Sequence, residues 1–249
     1  MDLMLNFSNV YNMPTKKIKF IDCKNIRETN MYCTETAQNE IKDKLTKYSP
    51  KGIHFIDSGN YHYLTTFFTQ KIKIPYSLIL FDFHNDMQNA IFDNMISCGN
   101  WAKELLEKDQ NLHQLFLIGP SQNTINAIHT KNQDKVIPIS IENIQTPNNS
   151  CDVVASKLRK FDSNFPTYLS IDKDVLSEKY ARTNWNQGQM SLVTLKKFLS
   201  FFLKKSKIIG VDICGENSYD EPLSRKIIDE KINKQTDVDL YNFIKSKIN

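Results

Sequence analysis

The sequence predicts an α/β protein organised around a largely parallel, buried sheet. Two observations predict it. Seven short runs rich in β-branched and aromatic residues recur with room for helices between them, and several are apolar on both faces through their middles, as LILF and FLI show. The runs are KIKFIDC (17–23), GIHFIDS (52–58), SLILFDFH (77–84), QLFLIGP (114–120), KVIPISI (135–141), TYLSIDKDV (167–175) and KIIGVDICG (207–215). Between them, apolar residues recur every three or four positions, as in Trp101, Leu105 and Leu106 or Leu195, Phe198, Leu199 and Phe202, which is the spacing of amphipathic helices. The last stretch (224–249) repeats that spacing and predicts one or two terminal helices. No Pro/Gly/Ser linker and no internal repeat divides the chain, so residues 1–249 read as a single domain.

Composition sets the outer limits. A chain of 249 residues with 40% hydrophobic and 24% charged residues has the material for a core and is not a disordered polymer. No apolar run approaches the ~18 residues that cross a bilayer. The opening residues carry no basic segment leading into an apolar stretch, and the expected location is cytoplasmic. Five cysteines (Cys23, Cys33, Cys98, Cys151, Cys214) are widely spaced and never form a CxxC pair, which argues for reduced thiols rather than a disulfide framework or a thiolate zinc site. Net charge is +4, from 32 basic and 28 acidic residues, and the lysines are scattered along the chain. Nucleic-acid binding, which needs a concentrated positive stripe, is not expected.

The polar residues of interest cluster where apolar runs end, and in an open parallel sheet those ends share one crevice. In DFHND, Asp82, His84 and Asp86 follow LILF at two-residue spacing and share a side if the backbone stays extended. Asp172 and Asp174 do the same in SIDKD, and His62 lies just beyond GIHFIDS. A lone histidine is more often a hydrogen-bonded structural residue, and a lone aspartate after a strand is often a helix cap. Four aspartates gathered together are another matter, because each uncompensated buried charge costs several kcal/mol. Two divalent cations balance the formal −4, and two histidines complete a mixed oxygen and nitrogen donor set. Oxygen-rich ligation without thiolate favours Mn²⁺, two per chain. Such a pair acidifies a shared water enough to supply a bridging hydroxide near neutral pH.

GNYH (59–62), DFHND (82–86) and SIDKD (170–174), in that order, resemble the three metal-binding motifs of the arginase/agmatinase (ureohydrolase) superfamily, over roughly residues 52–220. The resemblance implies a three-layer αβα sandwich with a mainly parallel sheet of about eight strands and a binuclear manganese site. By that resemblance His62, Asp82, Asp86 and Asp172 hold one metal, and His84, Asp82, Asp172 and Asp174 the other. It also implies hydrolysis of a C–N bond in a small guanidino, amidine or amide substrate, and possible assembly into a homo-oligomer.

The chain departs from the family pattern outside this set. The first motif carries Asn60 and Tyr61 in place of glycine and aspartate. No histidine stands between His84 and His113, where the family's proton-moving histidine falls, and Ser97 and Cys98 occupy that region. Cys98 is thus a candidate proton carrier or nucleophile, against the commoner role of a buried apolar thiol. In VDICGE, Gly215 takes the spacing of the family's substrate-facing glutamate and Glu216 comes one residue later. On an extended strand Glu216 shares a face with Asp212 and reaches the cleft, so it is the candidate for orienting substrate or transferring protons. Asn100 and Trp101, with Arg182, Asn184 and Trp185 from the loop after Asp174, are candidate substrate contacts, and ordinary loop packing is the competing role for each. A second function is open on the same residues: a metal-binding regulatory or assembly protein that kept the fold and lost catalysis.

Overall fold

A computed structural model describes residues 1–11, 17–92, 94–145, 150–217 and 223–248. The strands are β1 (Asp2–Asn6), β2 (Ile18–Asp22), β3 (Tyr32–Cys33), β4 (Ile53–Phe55), β5 (Tyr76–Phe81), β6 (Ile96–Ser97), β7 (Leu112–Ile118), β8 (Val136–Ile139), β9 (Thr167–Asp172) and β10 (Ile208–Cys214). Eight of them form one sheet in the order β2-β1-β4-β10-β9-β5-β7-β8, and every pairing within it is parallel. The short β3 and β6 pair separately and antiparallel.

All seven predicted runs are strands of this sheet. The eighth, β1, comes from DLMLN, whose leucines and methionine lack the β-branched and aromatic signature and equally suit a helix. Pairing with β2 on one side and β4 on the other makes it a strand.

Helices α1 (Glu35–Leu45), α2 (Leu64–Thr69), α3 (Trp101–Lys108), α4 (Gln122–Asn126), α5 (Ile141–Gln145), α6 (Ser150–Leu158), α7 (Leu192–Lys205) and α8 (Leu223–Ile248) connect and cover the strands. The two-residue alternation of a strand divides the apolar residues into two cores. Leu78 and Leu80 of β5 and Leu115 and Leu117 of β7 pack with Ile41, Phe68 and Leu105 of α1, α2 and α3. Ile79 and Phe81, with Phe116 and Ile118, pack on the other face with Leu195, Leu199 and Phe202 of α7 and with Leu240 and Ile244 of α8. Such double coverage is why the strand middles are continuously apolar. Ser191 fixes the start of α7 by accepting from the Thr194 N–H, and Thr34 starts α1 by accepting from that of Ala37. No helix among the described residues is long and apolar enough to cross a membrane.

The site follows from the strand order. β4 and β5 are consecutive across α2, yet β10 and β9 lie between them. Four adjacent strands, β4, β10, β9 and β5, therefore end beside one another at this break, where an open sheet leaves a crevice.

Candidate metal centre

Every one of these four strands delivers a side chain to the crevice. His62 follows β4, Asp82 to Asp86 follow β5, Asp172 ends β9, Asp174 lies in the turn after it, and Cys214 ends β10. His62 Nδ1 stands 3.1 Å from Asp82 Oδ2, 3.1 Å from Asp86 Oδ2 and 3.6 Å from Asp172 Oδ2. His84 Nδ1 stands 2.8 Å from Asp174 Oδ2 and 3.5 Å from Asp82 Oδ1. Three overlapping groups have all their donor atoms within 4.8 Å of one another: His62, Asp82 and Asp86; Asp82, His84 and Asp174; and His62, Asp172 and Cys214. The six residues of the sequence motifs thus meet, and a thiol joins them.

Backbone contacts set the carboxylates in place. Asp82 Oδ1 accepts from the His84 N–H, Asp172 Oδ1 from that of Asp174, and Asp174 Oδ1 from that of Phe83. Asp86 adopts φ +50°, in the left-handed region that Asp tolerates, and its Oδ2 accepts from Trp101 Nε1–H at 2.5 Å. Gly59 is required by closeness: a Cβ there would lie 2.9 Å from Asp172 Oδ2.

A hydrogen-bond chain fixes the His62 ring. Ser170 Oγ donates to Asp212 Oδ1 at 2.6 Å, so its lone pairs face His62 Nε2, 2.9 Å away, and that nitrogen carries the hydrogen. In the neutral ring Nδ1 is then a bare lone pair facing two carboxylates, and it has no hydrogen-bond partner although it is fully buried. Only a proton or a cation between them relieves that arrangement. The titration tendencies agree. Burial by itself lowers the His62 pKa, but Cys214, Asp82 and Asp86 raise it well above the usual imidazole range. His84, against burial, is held up at about 11 by Asp174 and Asp82. Burial, then the charges of Asp174 and Asp82, push Asp172 up to about 7, and burial with Asp82 pushes Asp174 up to about 6. The cluster holds protons among its donor atoms, and its mixed imidazole and carboxylate set fits divalent ions.

A cavity of about 380 Å³ opens onto the cluster. Cys98 and Trp185 line it, together with Asn85, Gln88, Thr124 and Met31. Burial raises the Cys98 thiol to about 12, so near neutral pH it is a neutral donor rather than a thiolate. The other expected contacts are engaged elsewhere. Asn100 Oδ1 accepts from the Ser97 N–H, Trp101 supports Asp86, and Asn184 Nδ2 donates to Asn60 Oδ1, as does the Trp185 indole. Arg182 donates to Glu178 and lies 3.6 Å from Asp229. None of Asn100, Trp101, Arg182 and Asn184 lines this cavity.

Glu216 departs from the alternation argument. Gly215 takes φ +94°, which ends the strand and turns Glu216 away from the cleft. A Cβ at Gly215 would also lie 2.6 Å from Asp172 Oδ1, so the position of the family's substrate-facing glutamate is closed to any side chain here. The Glu216 carboxylate instead accepts from Lys173 Nζ, which also donates to Asp237 Oδ1 at 2.7 Å. Glu216 and Asp237 line a second cavity, against α8.

Reading from motifs alone passed over Cys214, Ser170 and Asp212. A signal for them existed: Asp212 and Cys214 alternate on one face of β10, in register with Ser170 and Asp172 of β9. Four cysteines, Cys23, Cys33, Cys98 and Cys214, are free and buried, and the side chain of Cys151 lies outside the described residues.

Fold and site together define an α/β protein with a buried imidazole–carboxylate cluster at the ends of its central strands. The arginase family profile matches residues 2–221, and the chain belongs to that family. An uncharacterized protein of Thermotoga maritima is 29% identical over 216 residues, covering 86% of this chain and 78% of that one. Among solved structures, a hypothetical agmatinase from Burkholderia thailandensis shares 18% identity at a TM-score of 0.53, covering 85% of this chain and 65% of its own. A Trypanosoma cruzi formiminoglutamase crystallised with Mn²⁺ shares 12% identity at a TM-score of 0.60, covering 91% of this chain and 75% of its own. At these identities the structural likeness is one of fold. The chain spans slightly less than two thirds of the Burkholderia protein.

Proposed function

We propose that this protein is a binuclear metal-dependent hydrolase, with Mn²⁺ as the leading ion, that cleaves a C–N bond at a planar amidine, guanidino or amide carbon of a small molecule. The observation that carries the reading is the His62 lone pair, oriented by Ser170 and Asp212 and unpartnered among Asp82, Asp86 and Asp172. The manganese in the Trypanosoma formiminoglutamase supports the choice of ion. His62 and Asp86 would hold one cation, His84 and Asp174 the other, with Asp82 and Asp172 shared between them. When bound, two such cations supply Lewis acidity and acidify water near neutral pH.

The chain's own residues then set the conditions. Trp185 and Met87 form part of the apolar wall of the cavity beside the cluster. Cys98 presents a protonated thiol and Gln88 an amide that orient a planar polar substrate, while the Asn85 amide is held by Thr124 O and the Met87 N–H. Among the described residues, the only carboxylates lining this cavity are the four aspartates of the cluster. The substrate is accordingly gripped by neutral groups, which places amidines and amides beside guanidino compounds as candidates.

The test is turnover of a panel of guanidino acids, guanidino amines, formimino compounds and N-acylated amines, read as release of urea, ammonia or acid, with Mn²⁺ and after chelation. Metal-dependent release from any of them supports the proposal. Two bound ions without turnover would favour the silent metal-binding reading, which the turning away of Glu216 supports.

A further inference from the structure

We infer that Cys214 is a further donor to the cation held by His62 and Asp172, so that the two metal positions differ in kind: one carries sulfur and suits a softer ion such as Zn²⁺ or Co²⁺, the other carries only oxygen and imidazole nitrogen. The inference rests on the metal-centre reading above and refines its choice of ion at one position.

The geometry comes from the register of the sheet. Cys214 and Asp172 are Cα partners on adjacent parallel strands, so their side chains leave the sheet on the same face. The thiol donates to Asp172 Oδ2 at 3.1 Å, which is the oxygen that faces His62 Nδ1. His62, Asp172 and Cys214 offer donor atoms within 4.8 Å of one another, and all three side chains are buried. Gly215, immediately after Cys214, packs its backbone against Asp172 and so holds the ends of β9 and β10 close together.

A free buried cysteine is ordinarily a small hydrophobe among hydrocarbon neighbours. Cys214 stands at the edge of the apolar core but also has a carboxylate and an imidazole beside it, and that imidazole is the fully buried group whose Nδ1 lacks a partner. Binding requires one balanced exchange. The S–H bond breaks, its proton leaves to solvent, and an S–metal bond forms with no change of oxidation state. Thiolate among the donors moves the preference of that position toward softer ions. Composition missed this, because a cysteine remote from every other cysteine does not look like a ligand.

The whole chain, stripped of metal and reloaded with Co²⁺, provides the test. Expected is a near-ultraviolet sulfur-to-cobalt charge-transfer band that grows with one of the two bound ions. Cys214→Ser should lose that band while keeping the visible ligand-field bands of bound Co²⁺, and Cys98→Ser should keep both. X-ray absorption at the zinc edge of the unmutated, zinc-loaded chain needs no variant, and should find sulfur at about 2.3 Å from the metal. Stoichiometric Co²⁺ with no charge-transfer band, a band that survives Cys214→Ser or vanishes with Cys98→Ser, or a zinc shell without sulfur overturns the inference and leaves the metal centre standing. Failure of the unmutated chain to retain any divalent ion overturns the metal centre and this inference together.

Discussion

Asp172, Lys173 and Asp174 are consecutive, yet they serve two buried charge clusters of opposite design. The aspartates enter a group of four carboxylates whose only basic partners among the described residues are His62 and His84. Lys173, 1% exposed, enters a group of two carboxylates, Glu216 and Asp237. Burial and the charge of Glu216 raise the Asp237 pKa well above the carboxylate range, so a proton stays with the pair and the triad closes near neutrality. Against burial, Asp237 and Glu216 hold the Lys173 ammonium above its usual range. One cluster therefore carries its cation on the chain, and the other, in the function proposed here, takes it from solution. Buried charge marks a binding site only where the chain leaves it unbalanced.

Removing one charge from each design separates them most sharply. Asp172→Asn should abolish stoichiometric metal binding, measured by elemental analysis after gel filtration, and bring any metal-dependent turnover to the chelated background. The metal-free variant should nevertheless melt no lower than the metal-free parent, because it relieves like-charge crowding around Asp174 and Asp82. A large drop in that melting temperature would mean that Asp172 is a structural anion and the cluster is not a vacancy for cations.

Lys173→Met makes the opposite break, leaving Glu216 and Asp237 buried without their cation. The expected cost is about 3–5 kcal/mol, or roughly 10 °C in melting temperature for a chain of this size. Adding Glu216→Gln and Asp237→Asn should recover most of that loss, since removing a whole buried ion group is often close to neutral. Metal content should be unchanged in both variants. If Lys173→Met costs nothing, the triad is not the balanced unit described here.

The two clusters were unequally legible in the sequence. The seven strands were readable because coverage on both faces leaves continuous apolar runs, and five of the six imidazole and carboxylate residues because they recur at two-residue spacing where a strand ends; His62 was readable only from the order of the three motifs. β1 was not readable, since Leu3, Met4 and Leu5 carry no strand signature until β2 and β4 pair with them. Glu216 was placed wrongly in the cleft because the alternation argument assumes extended backbone, and Gly215 breaks it with a positive φ. Lys173 was invisible as a buried group because its partner Asp237 is 64 residues away, in α8. Arg182 and Asn184 lie in the expected loop, but whether a loop side chain faces a cavity or a neighbour depends on partners such as Asn60 and Glu178, which spacing does not encode.

The pH response of the metal-free chain sharpens the contrast. In the fold Asp172 and Asp174 titrate at about 7 and about 6, against 3.8 for the ordinary side chain. Between pH 4 and 7 the folded state thus binds more protons than the unfolded one, and stability falls as pH rises through that window. His84, held at about 11, extends the fall above its ordinary 6.5. Relaxation of the cluster and water entering from the cavity make the slope shallower than two fully shielded carboxylates would give. Denaturant titrations at pH 4.5 and 7.5 would measure it, and saturating Mn²⁺ or Zn²⁺ should abolish or reverse the slope, because the ions compete with those protons. A metal-free chain that becomes more stable from pH 4.5 to 7.5 would contradict the assignment of the cluster as proton-holding.

The smallest effect tests whether support around the cluster is tuned to a metal or only to packing. Trp101 is fully buried at the start of α3, packs its ring against His62 at a centroid distance of 4.7 Å, and donates its indole N–H to Asp86 Oδ2. Trp101→Phe removes that donor and some apolar volume, so a modest loss of stability is expected whatever the role of Asp86. The two roles part in metal affinity. If the indole aims a ligating carboxylate, the variant should bind divalent ions about 10–100-fold more weakly, the usual cost of losing a group that orients a ligand. The loss should fall on the ion held at His62 and Asp86 and spare the one at His84 and Asp174, which shares no bond with Trp101. Titration with Co²⁺ resolves the two positions, because the charge-transfer band expected from Cys214 reports the His62 position alone. An affinity loss spread equally over both ions would show that Trp101 acts on the cavity as a whole.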